Sequence, residues 1–97
     1  MPDESPPVFV LTVQAVAGPR NSVPDGRRYD LLVFARGREE IEADAVARKA
    51  LADLGWDEPA IRRTGEITDP SGIPPDLERA YANAAAHGCA VIVYDEP

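Results

Sequence analysis

Residues 37–56 read GREEIEADAVARKALADLGW, and this stretch decides the fold. Ala43, Val46, Ala47, Ala50, Leu51 and Leu54 recur at the i, i+3, i+4 spacing that builds one apolar face of a helix. Glu39, Glu40 and Glu42 stand in the first turn, where negative charge suits the positive end of the helix dipole, and Arg48 and Lys49 lie nearer the other end. Gly55 follows as the residue that adopts a left-handed stop, and Trp56 falls where it can fold back onto Leu51. Such a helix needs an apolar surface to lie on, and the runs on either side of it supply a sheet.

Upstream, VFVLTVQAVA at 8–17 reads as a strand. Phe9, Leu11, Val13 and Ala15 share one face, and Val8, Val10, Thr12, Gln14 and Val16 the other. GPRNSVPDGR at 18–27 is turn chemistry throughout, and long for a hairpin loop. RYDLLVFAR at 28–36 is a second strand, with Tyr29, Leu31, Val33 and Ala35 opposite Asp30, Leu32, Phe34 and Arg36.

Downstream, 57–59 reads as a turn. AIRRTGEI at 60–67 reads as a weaker strand whose arginine pair and interior glycine suit a sheet edge. A loop at 68–75 leads into a second helix over 76–87, with Leu77, Ala80, Tyr81 and Ala84 on its apolar face and Gly88 as its stop. CAVIVY at 89–94 is apolar on both faces, the pattern of a central strand.

The element order is β-β-α-β-α-β, an α+β chain. The two β-α-β units favour parallel pairing, and the first hairpin adds an antiparallel pair. The expected architecture is a two-layer sandwich: a mixed four-stranded sheet with two helices packed on one face. Residues 1–7, rich in proline and acid, read as a flexible N-terminal tail, and 8–97 as a single α+β domain.

Composition narrows the function classes. The chain has 97 residues and a net charge of −7, which argues against nucleic acid as a partner, since phosphate binding needs a basic surface. The opening MPDESPPV lacks the basic and apolar regions of a secretory leader, and no apolar run is long enough to span a membrane. The expected location is cytoplasmic. Arginine outnumbers lysine nine to one, a bias of GC-rich, bacterial coding. With one histidine and one cysteine, no disulfide, metal site or cofactor is expected.

No motif fixes a chemistry. His87-Gly88-Cys89 sets a base near a thiol, yet the two flank a helix stop, and a cysteine entering an apolar strand behaves as a small hydrophobe. The glycines match no phosphate-binding loop. No catalytic residue is assigned, and the chain reads as leaning away from enzymes.

Two binding readings stand. If both helices cover one sheet face, the other exposes Val8, Val10, Val16, Leu32 and Phe34, a patch for a protein partner or a second copy in a homodimer. The alternative is a small anionic ligand held by arginines of the 18–28 loop and the weak strand: Arg20, Arg27, Arg28, Arg62 and Arg63. In that reading a pocket near the loop with converging arginines is the discriminating feature.

Overall fold

In a computed structural model, which describes residues 7–19, 27–68 and 70–94, the chain forms an α+β fold with four strands and two helices. The elements are β1 (Val8–Ala17), β2 (Arg28–Arg36), α1 (Glu40–Asp53), β3 (Trp56–Glu66), α2 (Pro75–His87) and β4 (Cys89–Tyr94), with a 3-10 turn at Pro70–Gly72. Residues 20–26 of the 18–28 loop lie outside the described residues, as do residues 1–6 of the expected tail. Pro7, the last tail residue, accepts a hydrogen bond from the Gly37 N–H at 3.0 Å.

The sheet order is β3-β1-β2-β4, and every pairing is antiparallel. The expected mixed sheet is thus corrected. The strands joined by α1 do run in the same direction, but β1 lies between them and pairs with both. β4 is not central either. It pairs with β2 and forms one edge of the sheet, while β3 forms the other, as its arginine pair and glycine suggest.

The helices lie on opposite faces, a second correction. Ala43, Ala47 and Leu51 of α1 pack with the odd-numbered side chains of β1 and β2, from Phe9 and Leu11 to Val33 and Ala35. Leu77, Ala80, Tyr81 and Ala84 of α2 pack with Val8, Val10, Leu32 and Phe34 on the even-numbered side. The connection from β3 to β4 must pass from one edge of the sheet to the other, and α2 makes that passage over the face α1 leaves open. This explains why β4 is apolar on both sides at an edge. Cys89 and Val91 join the α1 core, and Ala90 and Ile92 join the α2 core.

Local chemistry places the ends of the elements. Gly55 (φ 88°) and Gly88 (φ 106°) turn the chain out of the two helices through backbone space that side chains disfavour. Trp56 then enters β3 directly. Its ring meets Tyr29 edge-on at 5.6 Å, in the same core as Leu51. Residues 57–59 therefore lie inside β3 rather than in a turn. Arg48 and Lys49 pair with Asp44 and Asp53 one turn away along α1 instead of serving its last turn. Arg36 reaches from the end of β2 to the Ala85 carbonyl, 2.6 Å, where a cation suits the C-terminal end of α2. No helix among the described residues is long and apolar enough to cross a membrane.

Candidate functional site

The residues expected to form an open apolar face are placed as follows. Val8 and Phe34 are buried, 3% and 2% exposed, beneath α2. Val10 and Leu32 are half-buried in the same cluster, and Val16 is half-buried further along β1. The face that alternation leaves open is thus occupied at its apolar end by a helix of the chain itself.

The other end of that face is polar. Thr12, Gln14, Asp30, Leu32, Arg62 and Arg63 line an open depression there. The two arginines reach it through an irregularity in β3. Ile61 pairs with Val13 and Arg63 with Thr12, which leaves Arg62 as an extra residue, a β-bulge. In a regular strand Arg62 and Arg63 would point to opposite faces. The bulge turns both onto the face of Thr12. A second irregularity sets Glu58 and Pro59 against Ala15 alone, with Glu58 at φ 51°.

Gln14 links the two sides of the depression. The Arg62 guanidinium donates to its Oε1 at 2.9 Å, and its Nε2 donates to an Asp30 carboxylate oxygen at 3.0 Å. Neither Arg62 nor Arg63 has a carboxylate in ion-pair range among the described residues, although the chain holds seventeen acids. The other candidate arginines do not converge here. Arg27 stacks over the Tyr29 ring at 5.8 Å, a cation–π contact. Arg28 is exposed where β2 pairs with Val16, and Arg20 lies outside the described residues. Thr12, Gln14 and Asp30 were not among the sequence candidates. Their one sequence signal was parity, which already set them on the face of Val10 and Leu32.

The two edges of the sheet offer the other candidate surface. The β3 edge carries Pro59, two bulges and the exposed charges Asp57, Glu58, Arg62, Arg63 and Glu66. The β4 edge, CAVIVY, has no charge, no proline and an unbroken register with β2. The Arg36 N–H donates to the Gly88 carbonyl at 2.8 Å. Antiparallel alternation from that bond turns the backbone of Ala90 and Ile92 toward β2 and that of Cys89, Val91 and Val93 outward. Among the described residues, Val93 is one of three large apolar side chains that stay exposed, with Ile41 and Leu54. Beside this edge, Asp76, Leu77, Arg79, Ala80 and Asn83 of α2 form a groove with Ala90 and Ile92.

His87 is exposed in the last turn of α2, while Cys89 is half-buried and packs in the α1 core. Burial pushes the Cys89 thiol above its ordinary pKa, offset in part by a hydrogen bond from the Ala90 backbone. A raised thiol pKa is the opposite of what a nucleophile needs. Comparison of the chain with protein-family models, curated proteins and solved structures yields no match.

Proposed function

We propose that this chain is a small non-catalytic protein that acts through protein–protein contact, as a homodimer joined along the outer edges of two β4 strands. The observation that supports the reading is the contrast between the edges. Native sheets blunt their edges with charge, proline and bulges, because an open row of N–H and C=O groups templates further pairing. β3 has all three devices and β4 has none.

A second copy fits this edge for three reasons. First, antiparallel pairing about a two-fold axis at Val91 sets Val91 against its equivalent and Cys89 against Val93 of the other copy, all with outward-facing backbone. Second, among the described residues the seam adds no like charges, since β4 is uncharged and the groove beside it carries one acid, Asp76, and one base, Arg79. Third, α2 lies over β2 and β4. With strands about 4.8 Å apart, the two copies of α2 come to lie about 10 Å from each other, ordinary helix-packing distance. The seam would then combine a β ladder with a helix pair on the same face. The apolar patch of the sequence reading thereby gives way to an edge as the contact surface, because α2 sits on the patch.

Light scattering after size exclusion tests the reading. A dimer is expected at micromolar protein, with Val93→Lys a folded monomer, because residue 93 is exposed and a lysine there guards the edge. A wild-type chain that stays monomeric at hundreds of micromolar, or a V93K variant that stays dimeric, overturns it.

A further inference from the structure

We infer that the polar half of the α2-side sheet face binds a small free zwitterion, one that carries an oxyanion for Arg62 and Arg63 and a protonated amine for Asp30. This site is separate from the β4 seam and does not depend on it.

The bulge supplies the first argument. It sets two successive arginines on one face, and their guanidinium groups meet no carboxylate among the described residues. Gln14 occupies one N–H of Arg62, which leaves its other donors, and all of Arg63's, for a phosphate or carboxylate. Asp30 supplies the second. Gln14 bonds one of its oxygens and leaves the second free to accept from a cationic donor. A lone anion would gain from the arginines and be repelled by Asp30. A molecule with both charges satisfies both ends. The third argument is spacing. A single amide, that of Gln14, separates the Arg62 guanidinium from the Asp30 carboxylate. That gap matches the distance between the charged groups of an amino-acid-sized molecule. Thr12 adds a hydroxyl and Leu32 an apolar floor beside α2.

The test is a titration of the isotope-labelled protein at low salt, read by amide chemical shifts, with O-phospho-L-serine and with inorganic phosphate. Shifts centred on Thr12, Gln14, Arg62 and Arg63 are expected, with phosphoserine the tighter probe. Arg62→Gln and Arg63→Gln should each weaken it about tenfold, the worth of one charged hydrogen-bond pair. Arg48→Gln, on the exposed side of α1, should leave it unchanged. Asp30→Asn should abolish the preference for phosphoserine over phosphate. These side chains are exposed, so the variants should keep the wild-type spectrum elsewhere. Shifts spread over all the arginines, or an R62Q effect no larger than that of R48Q, overturn the site. A preference for phosphoserine that survives D30N overturns the assignment of the amine to Asp30.

Discussion

The two edge strands of this sheet solve the same problem in opposite ways. β3 is eleven residues long and β4 six, and among the described residues each pairs on one side only. β3 spends its length on defence, with Pro59, two bulges and five exposed charges. β4 keeps an unbroken register and is uncharged, with a helix-covered core on each side. The difference teaches that an edge can be apolar because of what lies above and below it, while its open backbone still asks for a partner. The defence has a second consequence. The bulge that breaks up the β3 edge is the same feature that brings Arg62 and Arg63 to one face.

The largest expected effect concerns how β3 is anchored. Trp56 is 4% exposed and packs with Tyr29 and Leu51, so Trp56→Ala should cost about 3–5 kcal/mol in urea unfolding. Val91→Ala on β4, where the side chain is half-buried, should cost roughly 1 kcal/mol as a monomer. Equal losses would break the view that β3 is pinned by its core and β4 more loosely held. Next in size, Val93→Lys should halve the solution mass with no change in the far-ultraviolet spectrum.

A third experiment removes the guards. Replacing Arg62 and Arg63 together by valine should shift thermal unfolding only slightly, within about 1 kcal/mol for exposed positions. The same variant should raise light scattering on concentration, because β3 then presents an apolar edge. A variant as well behaved as the wild type would mean that the bulges and Pro59 suffice. The smallest effect is the pH dependence that Cys89 adds. Its raised pKa means that the folded chain holds the thiol proton more tightly than the unfolded chain. Stability should therefore fall as pH climbs past the ordinary thiol range, until the folded thiol ionises too. Urea midpoints of wild type and Cys89→Ala at pH 7 and at alkaline pH check it. The gap between the two proteins should change with pH in that direction.

How far the fold was legible can be seen in the helices. Leu77, Ala80, Tyr81 and Ala84 were readable as an apolar stripe, and all four pack against the even-numbered face of the sheet. Periodicity shows that a helix has an apolar side, but not which side of a sheet receives it. Nothing local therefore separated one covered face from two. The same gap moved β4 from the centre to the edge, because burial on both faces looks alike whether strands or helices cause it. The candidate site was half legible. Arg62 and Arg63 stood out as a pair, but alternation set them on opposite faces, and a bulge has no signature in this stretch strong enough to say otherwise.

The sequence by itself determined the local choices: four strands, two helices, the glycine stops at Gly55 and Gly88, and the two faces of β1 and β2. These follow from backbone sterics and side-chain period, which act over a few residues. Only the tertiary structure decided the strand order, the assignment of one helix to each face, the unguarded state of β4 and the meeting of Arg62, Gln14 and Asp30 across three strands. Those depend on pairings between residues far apart in the chain, where many arrangements satisfy the same local pattern and packing of the whole selects among them.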